Sequence, residues 1–275
     1  MEFPHSGKLA GRLIWLEQAS STNSQLIDIA RSEQLPDFTV MATANQVSGR
    51  GRAGRSWEAP SDASLAISVL LRPALAGANG MSGLGWLPLM GGLAMSETVA
   101  RLLENSTPGM AKPVLGVKWP NDILVDELKI SGVLSELVTA SATEAIVVVG
   151  AGINLTQTAA QLPVPTATSL ALAGANLPED LAQRFDLVLS TYLERLNFWY
   201  QRFVAAALDP VASGLRQAVI DNCVSLGRQV RAILPGDTEL VGKALTIDDA
   251  GRIVLSVNGL ANPVAAGDIV HLRHN

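Results

Sequence analysis

The chain has 275 residues, 48% of them hydrophobic and 16% charged, with a formal net charge of -5. These values exclude a disordered tract and allow a core large enough for one large domain and a small one. A pI near 5.2 argues against a general nucleic-acid binder, which needs a broad basic footprint, so positive charge gathered in one place should serve a small anion.

Residues 12–16 read as a first strand, and Ser20-Ser21-Thr22-Asn23 as an N-cap cluster for a helix running toward Gln34, where Pro36 stops it. Capping alone would account for Ser21 or Thr22. Residues 38–43 and 65–71 read as strands, and between them lies Gln46-Val47-Ser48-Gly49-Arg50-Gly51-Arg52-Ala53-Gly54-Arg55-Ser56-Trp57. Its three arginines alternate with three glycines. Glycines let a backbone approach a ligand, and guanidinium forks bind phosphate oxygens while keeping their charge. Short Gly-Arg runs also occur in solvated and RNA-binding segments. A single such loop mounted between two strands points instead to an anion clamp on a rigid sheet.

A helix is expected over 84–104, then strands over 114–118, 123–125, 130–137 and 145–150. A hairpin turning near Asp126-Glu127 would bring Asp122, at the end of Lys118-Trp119-Pro120-Asn121-Asp122, close to Lys129. By spacing alone, a surface lysine and a turn aspartate explain this pair better than a shared chemical role does. Gly150-Ala151-Gly152-Ile153-Asn154 ends an apolar strand; it lacks the third glycine of a dinucleotide fingerprint, though Asn154 is suited to reading an adenine edge.

Residues 156–178 form a loop-rich connection, and 180–206 carry a helical apolar period. After about Gly214, segments 224–234, 242–247, 252–257 and 268–273 alternate at strand period, with turns at Pro235-Gly236-Asp237, Asp249-Ala250-Gly251 and Asn258-Gly259. The expected fold is α+β: a mixed β-sheet packed by helices over residues 1–213 and a small β-barrel over 214–275. The single cysteine, Cys223, fits a reducing compartment as a small buried hydrophobe. No signal peptide is legible around Glu2 and Lys8, and the apolar stretches are too short or too broken to span a bilayer, so a cytoplasmic location without membrane association is expected.

In this order, Ser21-Thr22-Asn23, Gln46 with the Gly-Arg loop, Lys118 to Asp122, Lys129 with Gly132-Val133-Leu134 and Glu136, Gly150 to Asn154, and Ala167-Thr168-Ser169-Leu170 closely resemble the biotin protein ligase family. The resemblance implies a class II synthetase-like catalytic domain with an SH3-like C-terminal domain. It also implies a two-step reaction, in which biotin and Mg-ATP give biotinyl-5′-adenylate and a lysine of a biotin carboxyl carrier domain then takes the biotinyl group. By the same resemblance, Ser21, Thr22, Asn23, Gln46, Arg50, Gly51, Arg52, Lys129 and Gly132 would bind biotin. Arg52, Arg55, Trp57, Lys118, Asn121 and Asn154 would bind ATP. Lys129, Arg52, Lys118 and Asp122 would carry the chemistry, with Asp122 orienting the acceptor lysine or holding Mg²⁺.

Family members occur as monomers and as homodimers. Bifunctional members carry a winged helix-turn-helix ahead of the motif at Ser21; the 20 residues found there are too few for one, so no DNA binding is expected. The competing readings are a lipoate or octanoyl ligase of the same fold, which typically presents a different loop, and a nucleic-acid binder using the arginine loop.

Overall fold

The computed structural model describes residues 1–75, 79–104, 112–234, 236, 238–265 and 267–272. In chain order the elements are α1 (Ser6–Leu9), β1 (Arg12–Trp15), α2 (Thr22–Ser32), β2 (Thr39–Thr43), β3 (Gly49–Arg50), β4 (Ser56–Trp57), β5 (Ser64–Leu71), α3 (Gly80–Gly83) and α4 (Leu87–Leu103). There follow β6 (Leu115–Lys118), β7 (Asp122–Val125), β8 (Leu128–Ala140), β9 (Ala145–Asn154), α5 (Leu181–Ala205) and α6 (Leu215–Asn222). The C-terminal strands are β10 (Gln229–Leu234), β11 (Thr238–Ile247), β12 (Ile253–Val257), β13 (Leu260–Val264) and β14 (Asp268–His271).

Seven strands form one mixed sheet in the order β1-β2-β5-β9-β8-β7-β6, with β1 and β2 parallel and every other pair antiparallel. Strand β5 is buried at all its positions because both faces of the sheet are covered. Helix α4 lies across β6 to β9, with α5 packed on it, and together they bury Met90, Leu93, Val133, Val149, Leu189 and Leu193. On the other face, α2 buries Leu26 and Ile27 against Met41, Leu70 and Val148. That helix starts where the cap cluster predicts: Ser21 is the N-cap, and its hydroxyl accepts the Ser24 N–H.

The expected helix over 84–104 begins as a 3₁₀ turn, Leu84–Trp86, before α4, and β9 runs four residues past its expected end at Gly150. Its glycines read as a terminator in the sequence, but within a two-sided ladder they continue the strand. The Asp126-Glu127 turn holds both residues at positive φ, 48° and 68°, as a two-residue hairpin of the right-handed twist requires.

The C-terminal strands form a five-stranded antiparallel sheet in the order β13-β12-β11-β10-β14. Of the expected turns, Asn258-Gly259 has both residues at positive φ and Gly251 sits at 78°, whereas Pro235, Asp237 and the expected strand end at Arg273 lie outside the described residues. Two buried tryptophans pin this sheet to the larger one: Trp119 Nε1 donates to Gly251 O at 3.0 Å and Trp86 Nε1 to Asp249 O at 2.8 Å. The Trp119 backbone N–H also donates to Ser225 Oγ, which in turn contacts His271 Nε2 at 2.9 Å. No helix among the described residues is long and apolar enough to cross a membrane.

Trp119→Ala removes a side chain only 2% exposed together with its hydrogen bond, so unfolding free energy should fall by about 3–5 kcal/mol in urea denaturation, and an unchanged midpoint would refute the pinning role. Burial, with added repulsion from Lys118 and Arg228, lowers the His271 pKa to about 4 from 6.5. The unfolded chain therefore binds the extra proton first. Stability should drop as pH falls from 6.5 toward about 4, and His271→Gln should flatten that part of the stability-pH curve.

Candidate active site

The cavity floor is a stretch of sheet opened by Gly132, Gly150 and Gly152. Cross-strand partners Thr43, Ala66, Gly152, Gly132 and Asp122 form one row, and Met41, Ser68, Gly150 and Leu134 the next. Two side chains from outside the sheet lie directly on this floor. The Asn23 amide fills the space a Cβ at Gly150 would need, and the Trp57 indole does the same at Gly152, where a Cβ would come within 2.6 Å of Cε2. Neither contact tolerates a larger residue beneath it.

Lys129 reaches this face through a register shift. Three residues separate it from Gly132, which in a regular strand would place the two side chains on opposite faces. A bulge between β7 and β8 at this point inserts one extra residue, and the phase flips. Lys129 Nζ consequently sits 2.7 Å from Asp122 Oδ1 and 5.7 Å from the Trp57 ring centroid. The hairpin thus delivers the Asp122 and Lys129 meeting that its turn predicts, through a bulge that the turn does not reveal.

Of the residues singled out in the sequence, all but Lys118, Asp122 and Asn154 line a single cavity of about 110 Å³. Lys118, Asp122 and Lys129 line an adjoining cleft faced from the C-terminal sheet by Arg228, Lys243 and His271. Burial lowers the Lys118 pKa, opposed by Asp122 and reinforced by Lys129. Asn121, 8% exposed, spends its amide on Val133 O at 3.0 Å. Asn154 donates to Thr168 O and accepts from Gln157 Nε2, both at 2.9 Å, tying the end of β9 to the loop before α5.

Hydrogen bonds order one end of the cavity. Gln46 Oε1 accepts the Thr22 N–H at 2.9 Å, and the buried Ser68 hydroxyl lies 2.8 Å from Thr22 Oγ1 and 2.6 Å from Asn23 Oδ1. Both Asn23 amide hydrogens are used within the protein, on Leu134 O at 3.1 Å and Glu136 Oε2 at 2.9 Å. The other end is cationic. Arg50 Nη2 lies 2.6 Å from both Glu136 oxygens, Arg55 pairs with Asp268 at 2.8 Å, and Arg52 donates to Gly267 O at 3.3 Å. Burial lowers the pKa of Arg52, with Asp268 opposing, yet a guanidinium stays charged at neutral pH. Arg52 Nε and Trp57 Nε1 are buried without a hydrogen-bond partner among the described residues. Both belong to residues that line the cavity, and buried donors left without a partner are uncommon in folded proteins.

The sequence reading assigned no role to Ser68, Gly150, Glu136 or Asp268. Ser68 carries a faint signal as a lone hydroxyl in an apolar strand; Asp268 carries none, since only the folded chain brings it to Arg55. No group of three or more His, Cys, Asp or Glu side chains that could hold a metal occurs among the described residues. Asp122 offers a carboxylate 2.7 Å from Lys129 Nζ.

The fold and the sequence of this chain are shared with known proteins. Residues 15–154 match the Biotin/lipoate A/B protein ligase family, and residues 225–272 match the Biotin protein ligase C terminal domain. The chain is 36% identical to the biotin--[acetyl-CoA-carboxylase] ligase of Mycobacterium tuberculosis over 93% of its own length and 87% of that protein. It is 30% identical to the bifunctional ligase/repressor BirA of Escherichia coli over 94% and 74% of the two chains. The structure of biotin protein ligase from Aquifex aeolicus in complex with biotin and ATP superposes with a TM-score of 0.68 and 26% identity, covering 96% of this chain and 99% of that one. The chain belongs to the biotin/lipoate protein ligase family.

Gly150→Ala drives a methyl group into the Asn23 amide. It should cost about 1–3 kcal/mol by chemical denaturation, and a wild-type midpoint would mean that Asn23 does not lie on β9.

Proposed function

We propose that this chain activates biotin with ATP and transfers it to a lysine of a biotin carboxyl carrier domain. The observation that carries this reading is the two-ended cavity: a neutral hydroxyl-and-amide end at Ser21, Thr22 and Gln46, and a cationic end at Arg50, Arg52 and Lys129. Such a cavity suits a neutral, hydrogen-bonding head joined to a carboxylate, which describes biotin. The named activity of the Mycobacterium tuberculosis relative and the biotin and ATP held by the Aquifex aeolicus protein support the same assignment.

In the first step, a biotin carboxylate oxygen attacks the α-phosphorus of ATP, the bond to the β-phosphate breaks, and pyrophosphate leaves. Two anions must meet, and Lys129 and Arg52 supply the fixed positive charge that offsets their repulsion as it builds at the α-phosphoryl group. Arg55, Trp57, Lys118, Asn121 and Asn154 are the nucleotide-side residues. Mg²⁺ would arrive with the nucleotide, since magnesium sites of this kind use one or two carboxylates plus substrate phosphates, and Asp122 is the carboxylate present. In the second step the carrier lysine attacks the acyl carbon and AMP leaves. Asp122 is the group in reach of Lys129 that can accept a hydrogen bond from that amine.

The Gly-Arg loop has a second task. The cavity of about 110 Å³ is smaller than the about 300–1,000 Å³ usual for sites that enclose a ligand of this size, because Trp57 and the loop cover the floor. The loop lifts to admit the ligands and reseats over the adenylate, where exclusion of water prevents hydrolysis of the mixed anhydride. The catalytic unit spans residues 1–213 and the C-terminal unit 214–275. The carrier domain is the protein partner. DNA is not, because a chain of net charge -5 lacks the broad basic footprint that duplex binding needs. A cytoplasmic location goes with a reaction that consumes ATP.

Purified protein with Mg-ATP should release pyrophosphate when given biotin and much less when given lipoate, and should then make a carrier domain heavier by one biotinyl group. Lys129→Ala should lower biotin-dependent release by about 10²–10³-fold. Release with lipoate alone would move the chain to the lipoyl branch of its family, and an unimpaired Lys129→Ala enzyme would remove Lys129 from the mechanism.

A further inference from the structure

Glu136 has no role in the two steps above, yet it joins parts of the site that perform different tasks. Its Oε2 accepts from Asn23 Nδ2 at 2.9 Å, and Arg50 Nη2 lies 2.6 Å from both its oxygens. One partner belongs to the hydrogen-bonding end of the cavity and the other to the Gly-Arg loop. We propose that Glu136 is a positioning residue that couples an occupied hydrogen-bonding end to a seated loop, with Ser68 relaying the orientation between them. For its ligand, the inference rests on the reading of the cavity as a biotin site.

Counting protons shows how the orientation is transmitted. Glu136 and Leu134 O are acceptors only, so the Asn23 NH₂ must face them and its Oδ1 must face β5; the flipped amide would set oxygen against two acceptors. Ser68 has one proton and two oxygen neighbours, and Asn23 Oδ1 cannot donate, so the Ser68 proton goes to Asn23. Ser68 can then only accept from Thr22, whose own proton turns toward Ser68 at 2.8 Å rather than Gln46 at 3.3 Å. Thr22 Oγ1 is left with lone pairs for a ligand N–H. The Glu136 carboxylate and the Leu134 carbonyl together fix the polarity that Thr22 presents, three hydrogen bonds away from Glu136.

The same carboxylate holds the loop. Arg50 ends β3 of the two-stranded ribbon, in which Gly49 pairs with Trp57 and Arg50 with Ser56, so its seating also seats the Trp57 end of the loop. A ligand N–H on Thr22 tightens the chain Thr22-Ser68-Asn23-Glu136, and hydrogen-bonded chains of this kind polarise cooperatively. The pull arrives at the oxygens that grip Arg50. An incidental surface ion pair would hold neither the amide nor the ribbon.

The test uses the full chain. Trypsin cuts after Arg50, Arg52 or Arg55 when the loop lifts, and saturating biotin should protect the wild-type loop. Glu136→Gln keeps the shape but loses the charge, so with biotin saturating the loop should be cut about tenfold faster and biotin should dissociate about tenfold faster. Glu136→Asp should recover part of both effects. Ser68→Ala breaks the relay but keeps the Glu136–Arg50 pair, so it should weaken biotin binding about tenfold and abolish most of the extra loop protection that saturating biotin confers, without speeding the cutting of the unliganded loop. Thermal melts of all three variants verify the fold. Wild-type protection and dissociation in folded Glu136→Gln would overturn the inference alone, whereas a wild-type chain that binds no biotin would overturn the proposed function and this inference with it.

Discussion

Everything in the site depends on two positions of β9 that carry no side chain. Gly150 and Gly152 leave bare backbone in the middle of a seven-stranded sheet, and the Asn23 amide and Trp57 indole settle there in direct contact with the peptide groups. The rest is arranged around this contact. Helix α2 must start at Ser21 for Asn23 to reach the floor, and the loop must cross over β9 for Trp57 to cover it. Ser68 sits across from Gly150 because only there can its hydroxyl meet the amide oxygen.

The second organising principle is electrostatic. The cations converging on the cavity would repel one another, and each has an internal partner drawn from a different element: Lys129 with Asp122 on β7, Arg50 with Glu136 on β8, Arg55 with Asp268 on β14. These pairs are partly exposed, a setting in which ion pairs contribute about 0–1 kcal/mol each. Partners of that strength keep the cations in place and yield readily to a phosphate or carboxylate. Arg52 rests on the Gly267 carbonyl, and its buried Nε has no hydrogen-bond partner among the described residues.

Local chemistry was legible in the sequence; contacts formed by distant segments were not. The cap at Ser21, the Asp126-Glu127 turn and the approach of Asp122 to Lys129 follow from short-range rules, and the structure contains all three. The bulge that turns Lys129 onto the cavity face left no mark, since nothing in Lys129-Ile130-Ser131-Gly132 distinguishes a bulged strand from a regular one. The end of β9 was misread because glycine weakens a strand on average, whereas here the missing side chains make room for the site. Trp119 sits inside the most recognisable motif of the chain, yet its indole serves the C-terminal sheet; that assignment needs Gly251, 132 residues away.

The clasp between the Gly-Arg loop and β14 has a consequence for how the protein is made. Arg52 and Arg55 precede their resting partners, Gly267 and Asp268, by 215 and 213 residues. During synthesis the larger sheet can assemble as soon as β9 has left the ribosome, because domains fold as units from the N-terminal side. Until β14 has emerged, the loop lacks its clasp. A nascent chain thus holds the cavity floor before it can hold the loop down, and the assembled site waits for a strand made more than a hundred residues later.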